Sequence, residues 1–283
     1  MRILLTGLNG FTGQHLQLEL EAHGHSVIGL QADLTSLEAT AAEIKRIQPD
    51  AVIHLAGIAF VEHGHADDFY LVNLIGTRHL LSAIAKHAPN VSAILLASSA
   101  NVYGNQTEGK LTECTPTQPA NDYATSKLAM EHMARLWAKH LPITIARPFN
   151  YTGRAQNTSF LIPKIVAHFL HKASVIELGN IDVSRDFSDV RSISSAYRQL
   201  IESKPTGETL NICSGQAYTL QDVISLCESI TQHTLEIKVN PMFVRENEVR
   251  TLIGDSSLLQ STLPNWQPIP FTETLHWMLD ETS

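Results

Sequence analysis

The sequence has no Lys/Arg-rich run, and its 20 basic side chains stand against 28 acidic ones, for a formal net charge of −8. A chain of that balance is a poor general ligand for nucleic acid or for an anionic membrane, and neither partner is expected. Cysteine is scarce, with Cys114, Cys213 and Cys227 at irregular spacing. Three such residues give no disulfide framework and no zinc knuckle, and a reducing cytoplasm suits them. Long apolar runs are missing as well. Ile3-Leu4-Leu5 breaks at Thr6-Gly7, which is too short for a signal-peptide core, and no window reaches the length of a membrane span. Repeats, low-complexity tracts and Gly/Ser linkers are absent too. The expectation is a soluble, cytoplasmic protein whose 283 residues, 43% of them apolar, fill one large or two modest domains.

The first half alternates short β-rich runs with longer helical patterns, which is the mark of an α/β fold with a parallel sheet covered by helices. Strands are expected at 2–6, 26–30, 51–55, 93–98 and 143–147, with helices over 11–23, 36–47, 67–87 and 123–140 between them. Pro49, Pro89 and Pro142 each stand just before an expected strand, where a residue that cannot continue a helix makes a stop. Beyond Asn150 the elements shorten and loops increase. This divides the chain into a first domain over 1–150, completed by a segment near 189–212, and a smaller mixed α/β region over 151–283, with a ligand cleft between them.

Thr6-Gly7-Leu8-Asn9-Gly10-Phe11-Thr12-Gly13 follows the first expected strand and opens the first expected helix. In that context glycines permit the tight turn and let backbone N–H groups approach a pyrophosphate, while the helix N-terminus favours its charge. A nicotinamide dinucleotide, NAD(H) or NADP(H), is therefore the expected cofactor. An acid about 20 residues after the last glycine often holds the adenosine ribose. Asp33 stands at that distance from Gly13, and two positions compete for it: the ribose itself, or the adenine if a structural unit has been shortened so that Asp33-Leu34 ends the next strand. Gln31, where the second strand ends, offers neither a carboxylate for NAD nor a cation for NADP.

Tyr123-Ala124-Thr125-Ser126-Lys127 puts a phenol and an ammonium four residues apart on one helix face. A nearby ammonium favours the phenolate, so the pair can exchange a proton with an alcohol or ketone, and Ser99 at a strand end can hydrogen-bond the same oxygen. The catalytic set expected is Ser99, Tyr123 and Lys127. His63-Gly64-His65 and His168 with His171 lack the companions a metal site needs, and no metal is expected.

With these motifs together, the chain resembles the extended short-chain dehydrogenase/reductase family. Residues 6–13 match its TGxxGFxG, His54-Leu55-Ala56-Gly57 its strand end, Val72-Asn73-Leu74-Ile75-Gly76-Thr77 its VNxxGT, and residues 123–127 its YxxxK. Arg147-Pro148-Phe149-Asn150, Arg185-Asp186-Phe187-Ser188-Asp189-Val190 and Asn211-Ile212-Cys213-Ser214-Gly215 extend the likeness almost end to end. The resemblance implies a Rossmann-type doubly wound sheet. It implies cofactor contacts from Gly7, Asn9, Gly10, Phe11, Thr12, Gly13, Asp33, Leu34, Leu55, Ala56, Gly57, Asn73, Tyr123 and Lys127. It also implies a homodimer through the apolar helix faces at 69–81 and 128–137, although a monomer's core would show the same stripes.

Sugar dehydratases of this family usually carry a carboxylate just after the catalytic Ser or Thr, and a fucose-synthase branch carries a cysteine there. Here Ala100 and Asn101 hold those positions, so neither chemistry is expected. The segments 179–190 and 245–255 resemble those of GDP-6-deoxy-4-keto-D-mannose reductases. That likeness implies NAD(P)H-dependent reduction of a nucleotide-activated 4-keto-6-deoxy sugar, toward GDP-D-rhamnose. Substrate contacts are implied for Ser99, Asn101, Asn150, Arg185, Arg245 and Glu248, with the arginines on the diphosphate. Glu246 in place of a proline and Ser256-Ser257 in place of Thr-Lys depart from the pattern. Two other readings stay open: a 4-epimerase using the same Ser, Tyr and Lys, and a dinucleotide-sensing regulator, against which the retained YxxxK counts.

Overall fold

The computed structural model describes residues 1–59, 65–105, 109–181, 183–243 and 251–280. Its centre is a six-stranded parallel sheet in the order β2-β1-β3-β4-β5-β9. The strands are β1 (Arg2–Thr6), β2 (Ser26–Gly29), β3 (Ala51–His54), β4 (Ile94–Ala97), β5 (Ile143–Pro148) and β9 (Thr209–Ile212). They are covered on both faces, which is why β1 and β4 read as continuous apolar runs rather than as alternations. Successive side chains point to opposite sides. Ile3, Leu5 and Ile53 pack with Leu16 and Leu20 of helix α1 (Phe11–Ala22) and with α7 (Val190–Ser203). Leu4, Val52 and Leu96 pack the other way against α2 (Leu37–Ile47), α4 (Thr77–His87) and α5 (Asp122–Trp137). This is the doubly wound α/β architecture expected.

Two local features depart from the expected elements. The region 67–87 is not one regular helix: α3 (Asp67–Phe69) runs into a π-helical segment, Tyr70–Gly76, before α4. The widened turn buries Asn73, whose side-chain amide binds the backbone of Ile58 through both its oxygen (2.9 Å) and its nitrogen (3.1 Å). Such bulges frequently mark functional sites. In addition, no strand forms at 33–34. The chain passes from β2 through a short loop into α2, which is capped by Ser36 accepting from Ala39 N, so the intervening unit is missing.

The remaining elements are β6 (Asn150–Thr152), α6 (Leu161–Leu170), β7 (Val175–Leu178), β8 (Ser184–Asp189), β10 (Ala217–Thr219), α8 (Leu220–Thr231), β11 (Glu236–Val239), β12 (Thr251–Leu252), α9 (Ser257–Thr262) and α10 (Phe271–Leu279). β8 is their organiser, pairing with β6, β10 and β12. Phe187 of β8 stacks on Phe271, and α6, α8 and α10 close a separate apolar cluster around them. α7 and β9 carry the chain back onto the first sheet, while Leu259, Leu263 and Trp266 from the C-terminal stretch seal its α7 side. Among the described residues no helix is long and apolar enough to cross a membrane.

Candidate active site

The C-terminal ends of β1, β3, β4 and β5 open on a cleft of about 1270 Å³ that runs from the glycine loop to Arg185 and Leu252. That exceeds the roughly 300–1,000 Å³ of a pocket for one small ligand, so two extended ligands can lie end to end. Lys127, Lys164 and Arg185 line it, and among the described residues no carboxylate and no cysteine does. The described wall therefore suits anionic ligands, and among the described residues it supplies no acidic side chain for proton abstraction.

The glycine loop fits the pyrophosphate of a dinucleotide. Helix α1 starts at Phe11 behind Gly10 with no side-chain cap and no acidic residue in its first turn. Its opening N–H groups and dipole thus face the cleft without an internal anion. Gly7 has φ +75°, and a Cβ there would lie 2.9 Å from Ala56 N. A Cβ on Gly13 would lie 2.2 Å from Gly7 O, closer than any atom pair tolerates, so the helix can start this near the loop only with glycine at 13.

At the centre of the cleft stand the ends of β4 and α5. Asn121 caps α5 by accepting from Ala124 N at 2.9 Å, which places Tyr123 in the first turn and Lys127 one turn further on the same face. Ser99, just past β4, accepts from Asn101 N at 3.2 Å, and its hydroxyl faces the Tyr123 phenol. Burial pushes that phenol up to about 12, with the Ser99 hydroxyl acting in the opposite direction. Lys127 Nζ donates to Ala97 O at 2.9 Å. Burial lowers its pKa to about 8, opposed by the charge of Glu131. The expected lowering of the tyrosine by the lysine is not what this geometry gives: with the ammonium turned onto the strand-end carbonyl, burial governs the phenol, which stays protonated near neutral pH.

Two buried networks hold this centre, and neither was read from the sequence. Glu131, one turn beyond Lys127, is fully buried and takes a fork from Arg147, with Nε to Oε1 at 2.8 Å and Nη2 to Oε2 at 2.6 Å. Ser98 donates to the same carboxylate at 2.6 Å, and Arg147 reaches on to the Tyr103 hydroxyl at 2.9 Å. On the cofactor side, Thr77 Oγ1 donates to Asn73 O (2.7 Å), so it accepts from His54 Nε2–H (2.8 Å). His54 Nδ1 then accepts from Thr6 Oγ1 (2.6 Å), which in turn accepts from Ala56 N (3.0 Å). The signals for these groups were Glu131's i+4 spacing from Lys127 and the places of Thr6, His54, Ala56, Asn73, Thr77 and Arg147 in the quoted motifs, none of which shows that they bond to one another.

A profile of the NAD dependent epimerase/dehydratase family matches residues 3–213. The chain belongs to that family. It is 38% identical over 271 residues to the GDP-6-deoxy-D-talose 4-dehydrogenase of Aggregatibacter actinomycetemcomitans, covering 94% of this chain and 92% of that protein. It is 35% identical over 298 residues to the GDP-6-deoxy-D-mannose reductase of Pseudomonas aeruginosa, covering 99% and 96%. The structure of RMD from Pseudomonas aeruginosa complexed with NADPH superposes with a TM-score of 0.89 at 34% identity, covering 98% of this chain and 97% of that one.

Of the residues that sequence reading assigned to this family's sites, Gly7, Gly10, Phe11, Thr12, Gly13, Leu55, Gly57, Ser99, Asn101, Tyr123, Lys127, Asn150 and Arg185 line the one cleft. Asn9, Asp33, Leu34, Ala56 and Asn73 are not part of its lining. Ala56 and Asn73 stand behind the wall in the hydrogen-bond network, and Leu34 is buried against Gly76. Asp33 is exposed and turned onto its own loop, accepting from Thr35 N and Thr35 Oγ1 at 2.8 Å each. Arg245 and Glu248 lie outside the described residues, as do His63 and Gly64. Asn150 Nδ2 is buried at the cleft with no hydrogen-bond partner among the described residues, a donor set for a ligand oxygen. Among the described residues no group of three His, Cys, Asp or Glu could hold a metal ion.

Proposed function

We propose that this protein reduces the C4 ketone of a nucleotide-activated 4-keto-6-deoxy sugar, with GDP-4-keto-6-deoxy-D-mannose as substrate and GDP-D-rhamnose as product. The observation that carries the reading is the Tyr123–Ser99 pair, one turn from Lys127, in a cleft shared with the glycine loop. A bound nicotinamide, as NADH or NADPH, supplies the hydride. Tyr123 gives the ketone oxygen its proton, Ser99 orients that oxygen, and Lys127 holds the cofactor ribose and the local positive charge. A phenol that keeps its proton near neutrality is set as a donor, which suits reduction.

Residues 1–150 with 189–212 bind the dinucleotide in this reading, and 151–283 mainly the sugar nucleotide. Asn150 and Arg185 hold the diphosphate, joined by Arg245, and Glu248 contacts the substrate away from that charge; Arg245 and Glu248 both lie outside the described residues. The ribose and adenine side takes Asn9, Asp33 and Leu34. A second product, the C4 epimer GDP-6-deoxy-D-talose, is favoured by the name of the 38% identical relative; the face of the ketone presented to the nicotinamide decides between them. The protein acts in the cytoplasm as a homodimer, for which the exposed Leu71, Ile75 and Leu136 on the π-helical segment and α5 offer an apolar surface.

Tyr123→Phe tests the chemistry. It keeps the ring and removes the proton donor, and a loss of about 10²–10⁴ in kcat is expected with cofactor affinity retained. Turnover close to wild type would overturn the assignment. With Ala100 and Asn101 at the positions after Ser99, the purified chain is also expected to form no 4-keto-6-deoxy product from GDP-mannose, and its appearance would contradict this reading.

A further inference from the structure

The strand-end position that discriminates between nicotinamide dinucleotides is Gln31, which is uncharged, yet the fold brings a carboxylate to it from elsewhere. Glu43 lies on α2, and its side chain is only 10% exposed. Its Oε2 accepts from the backbone N–H of Gln31 at 3.1 Å and of Ala32 at 2.6 Å, and its Oε1 accepts from Arg46 Nη2 at 3.1 Å. The strand end that this carboxylate binds adjoins the glycine loop. Leu5 of β1 is paired with Gly29 of β2, and a Cβ on Gly29 would lie 2.6 Å from the Leu8 side chain and 3.4 Å from Gln31 Nε2. In a doubly wound fold, a dinucleotide with its pyrophosphate on this loop lays its adenosine ribose at the end of β2. An acid there takes the 2′-hydroxyl, and a cation takes a 2′-phosphate.

We propose that Glu43 sets the cofactor preference and makes NADH the favoured reductant; the inference rests on the dinucleotide reading above. Two convergent backbone N–H groups and a guanidinium form the kind of site that binds a phosphate. Glu43 fills that site with an anion tethered to the protein. A 2′-phosphate must displace it or bear its charge at close range, whereas a 2′-hydroxyl meets an acceptor. Of about four lone-pair positions on a carboxylate, three are taken by Gln31, Ala32 and Arg46, and one remains. Residues 29–36 and the glycine loop contain no Lys or Arg, so the cation found at this group is Arg46, already paired with Glu43. The missing βα unit explains the arrangement: with no strand at 33–34, α2 follows β2 closely enough for its second turn to reach the strand end.

The test is equilibrium titration of NADH and NADPH, followed by nicotinamide fluorescence, on the full chain without sugar. Repulsion between the carboxylate and a 2′-phosphate at close range gives wild type a preference for NADH on the order of ten-fold. Glu43→Gln keeps an oxygen to accept the two N–H groups while removing the charge, so the NADPH/NADH ratio of Kd should fall toward one through tighter NADPH binding. Glu43→Ala uncovers both N–H groups and Arg46, for a larger gain that adding Arg46→Ala removes. Wild-type affinity for NADPH equal to or above that for NADH, or an unmoved ratio in Glu43→Gln with an unchanged melting curve, overturns the proposal. If wild type binds neither reductant, the dinucleotide reading itself fails.

Discussion

Acid should weaken this fold through His54, and the structure sets both the sign and the size. His54 is buried at the end of β3, and burial, followed by the charge of Lys127, lowers its pKa from 6.5 to about 3. Its ring donates from Nε2 to Thr77 and accepts at Nδ1 from Thr6, so a second proton would break the Thr6 bond and place a cation in the core. The unfolded chain takes up that proton near pH 6.5, whereas the folded chain resists it to about pH 3. Stability from this group is therefore fully present above pH 6.5 and is lost as pH falls toward 3. The slope is about 1.4 kcal/mol per pH unit, which amounts to about 2.7 kcal/mol by pH 4.5. That is a large part of the 5–15 kcal/mol or so that holds a domain together. The assay is urea unfolding of wild type and His54→Gln at pH 7.0, 6.0, 5.0 and 4.5. A neutral amide can replace a donor and an acceptor but cannot titrate, so the variant should be less stable at neutral pH and should lose less on acidification. Carboxylates contribute alike to both proteins and cancel in the comparison. Parallel acid limbs would refute the reasoning.

Gly13→Ala should lower dinucleotide affinity by roughly ten-fold or more, because a Cβ 2.2 Å from Gly7 O forces the loop away from α1. Gly10→Ala, whose Cβ would meet Gly7 O at 3.3 Å, should be milder. Cofactor titration of both variants checks the order, and equal losses would contradict it. Glu131→Ala leaves the Arg147 charge buried without its partner and should cost about 3–5 kcal/mol, with Tm falling by roughly 10 °C. Calorimetry would contradict this if Tm moved by only a degree or two.

The fold was legible where one strand and one helix could be read locally. Strands 2–6 and 143–147 were placed within a residue of their ends because parallel strands covered on both faces give continuous apolar runs bounded by Gly or Pro. Ser99, Tyr123 and Lys127 were legible for the same reason: a strand end and a four-residue helical spacing are local facts. What the sequence hid depends on distant segments meeting. Glu131 and Arg147 belong to α5 and β5, and nothing in either segment announces that they form one buried pair. Glu43 carries no local signal at all, since only the packing of its helix against the end of β2 brings its carboxylate to Gln31 and Ala32. The π-helical turn at Asn73 carries the same apolar pattern as a regular helix, because its cause is a side chain bonding a loop 15 residues away. Asp33 stands at the customary spacing from Gly13, but β2 ends at Gly29 and the Asp33 carboxylate is turned onto its own loop, accepting from Thr35, which no residue spacing announces.

The central claim, reduction of a sugar ketone by this Ser–Tyr–Lys centre, is tested most directly by one stoichiometric assay. The purified chain is mixed with NADH and, separately, with the GDP- and dTDP-linked 4-keto-6-deoxy sugars, following absorbance at 340 nm with product analysis. The account predicts one NADH consumed per GDP-linked deoxysugar formed, with the dTDP-linked ketone reduced more slowly. A faster reaction with the dTDP ketone would overturn the substrate while leaving the chemistry. Interconversion of C4 epimers without net NADH consumption, or no reduction of either ketone, would contradict the central claim.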